Sequence, residues 1–290
     1  MIKVVGFRYA RLGTANLEET VKFAENIIGL EVVGHENGSV YTRGDDRDHN
    51  IVYFQGDPRD QTLGLELESF EDLEAAENLL HAQGLAVYRG TEEEAAARRC
   101  MGYINFKDTS GNSFDLTVRP YASGQRYFPG RDAGIDEFSH IGLCVNDPRE
   151  AEKFWSSLFG FTTSDWIGWS ALMTFDAVHH RFALFPSQRP GIQHINFQVK
   201  ETDDVMRSNY FLNDHQVRIQ AGPGRHSLSG ARFLYFYGPD DMIYEYSCGV
   251  RMVDESWRAR QFPVADASFC AWGCTPDLGQ VLSGPSSAAD

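Results

Sequence analysis

The pattern of apolar and polar positions repeats along the chain, and sliding the sequence against itself at an offset of about 131 residues exposes the repeat. In the first half, Phe7-Arg8-Tyr9-Ala10-Arg11-Leu12 precedes Leu17-Glu18-Glu19-Thr20-Val21-Lys22-Phe23 and then Ile28-Gly29-Leu30-Glu31-Val32. In the second, Phe138-Ser139-His140-Ile141-Gly142-Leu143 precedes Pro148-Arg149-Glu150-Ala151-Glu152-Lys153-Phe154 and then Phe159-Gly160-Phe161. Each copy predicts a strand, a polar turn that opens an amphipathic helix, a C-cap glycine (Gly29 or Gly160) and a further strand.

Later in each half an alternating segment, Leu63 to Leu67 or His194 to Val199, leads into a helical pattern over Phe70 to Gln83 or Thr202 to Asp214. Each half then closes on two strands joined by a Gly or Pro turn, Tyr103 to Thr117 and Phe233 to Ser247, which predicts hairpins. The fold class is α+β, with two homologous domains of two modules each, residues 1–120 and 135–275. A Gly- and Pro-containing, charge-mixed linker, Pro120 to Gly134, joins them. Residues 276–290, rich in Ser, Gly, Pro and Ala, predict a disordered tail.

Composition narrows the function. With 290 residues, 42% hydrophobic and 13% aromatic, the chain can fill two ordinary cores. A formal charge of -15, from 41 acidic against 26 basic residues, argues against nucleic acid as a partner. The first ten residues lack a basic segment followed by an apolar one, and no stretch has the apolar length of a bilayer span. The expectation is a cytoplasmic protein with no membrane partner. The five cysteines are odd in number and scattered, so they read as free thiols without a disulfide.

The halves differ in chemistry more than in pattern. His140 stands where the first half has Tyr9, His194 stands opposite Thr62, and Glu245 matches Asp115. Each candidate lies in an alternating strand, and three such residues can converge if their strands line one curved sheet. Two imidazoles and a carboxylate leave about three open octahedral positions, which suits a non-haem Fe(II) site that takes substrate and O2 together. Any one of these residues alone is more often a hydrogen-bonded core or rim residue. The asymmetry of the repeat lifts the three as a set.

The stretch from Gly224 to Glu245 carries His226, then Tyr235 between Leu234 and Phe236, then Pro239, then Glu245. In that order it resembles the signature of type I extradiol ring-cleavage dioxygenases of the vicinal oxygen chelate superfamily, and the likeness runs from about Val4 to Gly249. The resemblance implies paired βαβββ modules in each domain, a glyoxalase-like fold, with the metal in the C-terminal domain. It makes His140, His194 and Glu245 the metal ligands, with Fe(II) as cofactor and Mn(II) tolerated by the same set. It makes Tyr235 and His226 contacts to the catechol oxygens, and His180 the second histidine beside the O2 position. His179 competes for that last role, because one residue of gap is needed between His180 and His194. The implied reaction is O2-dependent cleavage of a catechol beside its two hydroxyls, giving a muconic semialdehyde-type product in aromatic-compound degradation. The implied partners are a small catechol and O2, and strand edges in such modules favour a homo-oligomer.

Some residues depart from the signature. Ser229 stands where many biphenyl-type cleavers have an Asp, and Gly238 and Asp241 change the turn around Pro239. Ala221 stands where some cleavers of carboxylated catechols have an Arg, which favours a neutral substituent. The aromatic run Trp155, Phe159, Phe161, Trp166, Trp169 and Phe175 could line an aryl pocket but reads better as helix and strand core. The rivals are a metal-dependent isomerase and a non-catalytic aromatic-binding protein of the same fold. A zinc hydrolase fits less well, since the helical His-Glu-x-x-His arrangement is absent.

Overall fold

The computed structural model describes residues 1–275; the segment 276–290, where the sequence predicts a disordered tail, lies outside the described residues. Two compact units emerge. The first comprises Met1–Arg131 with Lys153–Gly160, and the second Asp132–Glu152 with the chain from Phe161 onward.

In the first unit the strands are β1 (Gly6–Thr14), β2 (Glu31–Glu36), β3 (Ser39–Arg43), β4 (Ile51–Gln55), β5 (Gln61–Leu67), β6 (Val87–Arg89), β7 (Cys100–Lys107) and β8 (Ser113–Pro120). Helix α1 (Leu17–Phe23) follows β1, α2 (Phe70–Ala82) follows β5, and a short α3 (Glu92–Ala96) precedes β7. Helix α4 (Pro148–Phe159) follows β9 (Ile135–Val145), and then come β10 (Thr162–Ile167), β11 (Ser170–Thr174), β12 (Phe182–Pro186) and β13 (Gly191–Val199). Helix α5 (Thr202–Asp214) leads to β14 (Ile219–Arg225), β15 (Arg232–Tyr237) and β16 (Ile243–Cys248), and the chain goes on to β17 (Arg260–Phe262) and α6 (Asp266–Phe269). The βαβββ module implied by the resemblance therefore occurs four times.

The sheets run β2-β3-β4-β1-β5-β8-β7-β6 and β14-β15-β16-β13-β9-β12-β11-β10-β17. In each, the first strands of the two modules lie antiparallel at the centre, and each is flanked by the parallel last strand of its own module. The register bears out the repeat at the level of single residues. Tyr9 pairs with Gly64 and Gly64 with Asp115, as His140 pairs with Asn196 and Asn196 with Glu245.

Local signals explain the helices. Ser69 Oγ accepts from the Asp72 backbone N–H at 3.0 Å to start α2. Asp147 Oδ1 accepts from the Arg149 N–H at 2.8 Å, with Pro148 as the first helical residue of α4; such caps contribute about 1 kcal/mol each. Gly29 (φ 85°) and Gly160 (φ 69°) take the left-handed conformation that ends a helix. One detail went unpredicted: α1 widens into a π turn over Ala24–Ile28 before Gly29.

Most of the aromatic run is core. Trp155 meets Phe114 edge-on at 4.8 Å and Phe159 stacks on Phe106 at 5.8 Å, while Phe161 packs on Phe175 and Phe182. Arg149 covers Trp166, and Trp169 is exposed. The expectation of five free thiols is corrected, because Cys270 and Cys274 form a disulfide. The turn after α6 brings their Cα atoms to 5.8 Å, a closeness that a spacing of four residues does not announce. Cys100, Cys144 and Cys248 are buried and stand outside any disulfide among the described residues. Among the described residues no helix is long and apolar enough to cross a membrane.

Candidate metal centre

Three neighbouring central strands, β9, β13 and β16, carry His140, His194 and Glu245. Asn196 sets their level, since it pairs with both His140 and Glu245, and His194 lies two residues before it on the same strand. Gly142 stands opposite His194, and a Cβ there would come within 2.2 Å of His194 Nδ1, so the absence of a side chain leaves room for the ring. The two Nε2 atoms are 3.0 Å apart, and Glu245 Oε2 lies 2.9 Å from His140 Nε2 and 3.5 Å from His194 Nε2. All three residues are buried, and their potential ligand atoms lie within 4.8 Å of one another.

Hydrogen bonding leaves this cluster incomplete. Neither carboxylate oxygen of Glu245 receives a well-directed hydrogen bond among the described residues, and His140 Nδ1 lacks one too. Such a carboxylate in a dry interior costs several kcal/mol unless a cation balances it. Burial holds His194 down to about 3, so its ring is neutral. Burial pulls the Glu245 carboxyl upward, but the facing His140, His226 and His194 outweigh it and keep the group well below the ordinary carboxylate range. A neutral His194 beside an ionised Glu245 is a donor set of the kind a divalent metal takes. Gln193 Oε1 lies against His194 Nδ1, which turns Nε2 toward the cluster.

The other predicted residues surround the same point. His226 Nδ1 donates to the Phe269 carbonyl at 3.0 Å, which leaves Nε2 to accept from the Tyr235 hydroxyl at 3.0 Å. Burial first, then Glu245, raises the Tyr235 phenol well above its ordinary value, so it stays protonated. The rings of His180 and His140 are 4.4 Å apart, and burial keeps His180 well below the ordinary imidazole value, with His140 adding to the effect. A pocket of about 440 Å³, a volume that includes its open mouth, is lined by His140, His180, His194, His226, Tyr235 and Ser229. Its apolar walls are Ile167, Leu172, Ala183, Phe185, Leu228 and Phe269. His179 is not among the lining residues; it lies behind His180, with its Nε2 2.8 Å from Asp165 Oδ2.

Sequence reasoning missed the apolar walls, Asp165 and Arg260. Asp165 did leave a signal: its counterpart by sheet register is Gly34, since Asp165 pairs with Leu172 as Gly34 pairs with Tyr41. Among the described residues no Lys or Arg lines the pocket, consistent with Ala221 in place of an anion clamp.

Comparisons with known proteins give the chain a family. The family model described as "Glyoxalase/Bleomycin resistance protein/Dioxygenase superfamily" matches residues 6–116 and again 137–246. The chain is 26% identical over 282 residues to an "Iron-dependent extradiol dioxygenase" of Rhodococcus jostii (strain RHA1), covering 87% of this chain and 92% of that one. It is 24% identical over 286 residues to a "Manganese-dependent 2,3-dihydroxybiphenyl 1,2-dioxygenase" of Geobacillus genomosp. 3, covering 88% and 89%. A crystal structure of "BphC, a halotolerant catechol dioxygenase" superimposes with a TM-score of 0.86 at 25% identity, covering 97% of each chain. With both halves of the repeat matched, this chain belongs to the Glyoxalase/Bleomycin resistance protein/Dioxygenase superfamily.

Proposed function

We propose that the protein is an extradiol dioxygenase that opens a catechol ring beside its two hydroxyls, with His140, His194 and Glu245 holding Fe(II). The observation that carries this reading is the buried Glu245 carboxylate facing the Nε2 atoms of His140 and His194, two residues that line a pocket with His180, His226 and Tyr235. Fe(II) bound there would supply the charge that acidifies the catechol hydroxyls and the open positions for substrate and O2. Mn(II) suits the same donors, and one relative's name specifies it.

The chain's own groups divide the remaining work. The protonated Tyr235 hydroxyl turns its one hydrogen from His226 Nε2 to a substrate oxygen and so fixes the ring's orientation. His180, kept neutral by burial, accepts the proton that a substrate hydroxyl gives up and returns it as the ring opens. Ile167, Leu172, Ala183, Phe185 and Phe269 exclude water and hold the arene, and without a cation in the wall they favour a neutral, apolar substituent. The product is a ring-opened semialdehyde. Strands β6 and β14 end their sheets, and such edges support assembly of the chain as a homo-oligomer.

Anaerobic loading with Fe(II), followed by mixing with aerobic buffer and a panel of catechols, tests the reading. A yellow product formed with one O2 per catechol, and lost in His194→Ala, is the expected result. Stoichiometric iron with no O2 uptake on any catechol would move the isomerase and binding-protein readings ahead.

A further inference from the structure

Behind His180 lies a buried chain of side chains that the reaction outlined above does not call on. Arg260 grips Asp165 from β17: its backbone N–H and Nε donate to Oδ1 at 2.8 and 3.0 Å, and Nη2 donates to Oδ2 at 2.5 Å. Asp165 Oδ2 also faces His179 Nε2 at 2.8 Å, and His179 Nδ1 faces His180 Nδ1 at 3.2 Å. Both histidines and Asp165 are buried, with His179 and Asp165 at 0% exposure.

The hydrogens along this chain follow from what each atom can do. A carboxylate accepts and does not donate, so His179 Nε2 carries the proton. Arg260 already balances the Asp165 charge, and burial lowers the His179 pKa, so the His179 ring is neutral and Nδ1 is a lone pair. The hydrogen between the two rings therefore belongs to His180 Nδ1. That leaves His180 Nε2 bare, on a residue that lines the pocket.

We propose that Asp165 and His179 are positioning residues that lock His180 in the Nδ1–H tautomer, so that a lone pair is always presented to the pocket. A histidine without such a partner exchanges between tautomers, and its bare nitrogen faces substrate for part of the time. The chain also fixes the ring plane, because His179 is held on its other flank by Trp257 at 5.8 Å and through its backbone N–H by the Arg251 carbonyl at 2.9 Å. Arg260 Nη2 in turn donates to the Leu228 carbonyl at 2.8 Å, so the same cation braces the pocket wall. For its catalytic consequence this inference rests on the dioxygenase reading; for the tautomer it does not.

Long-range ¹H–¹⁵N spectra of ¹⁵N-histidine-labelled, metal-free protein read the tautomers directly, with turnover of the Fe(II)-loaded enzyme as the second readout. The expected wild-type pattern is His180 protonated on Nδ1 and His179 on Nε2. In His179→Phe the His180 signals should average between both tautomers, and kcat should fall about tenfold with KM within about threefold and iron content unchanged. Asp165→Asn, which retains an acceptor oxygen, should move both readouts the same way by less, and it serves as the test if His179→Phe does not fold. Wild-type His180 protonated on Nε2, or a His180 pattern untouched by both substitutions, would overturn the proposal. Wild-type tautomers as expected, in a protein that binds iron but cleaves no catechol, would uphold the chain and sink the dioxygenase reading instead.

Discussion

The two units place the same strands in the same register and finish the central site in opposite ways. In the first, Asp115 is fully partnered: Tyr9 Oη donates at 2.9 Å, Arg98 Nε at 2.7 Å and Asn105 Nδ2 at 2.8 Å. The Tyr9 ring fills the space above Gly64, where a Cβ would come within 2.7 Å of it, and Arg98 lies over Tyr103 at 3.8 Å. In the second, Glu245 has the equivalent position and no built-in cation, and imidazoles stand where Tyr9 and Thr62 stand in the first. One carboxylate is neutralised by an arginine of the chain itself; the other faces the histidines with which it is proposed to hold a metal.

The comparison extends behind the site. By the pairing of Ala10 with Ile51 and of Ile141 with Phe182, His49 is the counterpart of His180. His49 Nδ1 lies 3.1 Å from Asp48 Oδ2, and Arg99 Nη1 donates to the same oxygen at 3.0 Å. Both units thus back a buried histidine with an Asp–Arg pair. The second inserts His179 into the series and draws its Arg from β17, the strand that makes its sheet nine-stranded rather than eight.

The largest effect expected from breaking this contrast is at the ligands. His194→Ala should abolish stoichiometric metal and cut O2 uptake by at least about 10³-fold, while Thr62→Ala at the matching position should leave both intact. Metal analysis and O2 electrode traces check the pair. Next comes stability. Asp115→Ala strands the Arg98 guanidinium and should cost about 3–5 kcal/mol in denaturant unfolding, with metal content unchanged.

Glu245→Gln should behave differently. In metal-free protein it should cost less than Asp115→Ala, because histidines rather than an arginine face the lost charge and no guanidinium is stranded. A loss comparable to that of Asp115→Ala would break the comparison.

The smallest effect is a pH dependence at Asp165. Burial pulls this carboxyl upward, but His179 and Arg260 outweigh it and lower the folded value. A depressed folded value means the stabilisation is complete above the unfolded value of about 3.9 and is lost as pH falls through the folded one. Asp165→Asn should therefore cost about 1–2 kcal/mol at neutral pH and progressively less below about pH 4, read as converging unfolding curves.

Much of this was legible in the sequence because strands and helices carry their period in every copy. The repeat offset alone equated His140 with Tyr9, and the sheet register agrees. Helix α5 spans the predicted Thr202 to Asp214, because its start signal and apolar face are local. The candidate ligands could be singled out because a change from Tyr9 to His140 within a repeat is a chemical difference on a shared backbone. What escaped depends on distant contacts. Nothing local ties Arg260 to Asp165, which are 95 residues apart, or tells which side of His180 faces the pocket. Phe269 reaches the site from a four-residue helix, α6, outside the repeat, so no second copy marks it. The Cys270–Cys274 disulfide escaped for the same reason.

The central claim is that one half of this molecule holds a metal and the other half has closed that position. Anomalous diffraction at the iron edge, on crystals of protein loaded anaerobically with Fe(II), tests it most directly. The account predicts one iron per chain, within bonding distance of His140 Nε2, His194 Nε2 and a Glu245 carboxylate oxygen, and none beside Tyr9 and Asp115. Iron elsewhere in the chain, iron in both halves, or an empty His140–His194–Glu245 cluster in fully loaded crystals would contradict it.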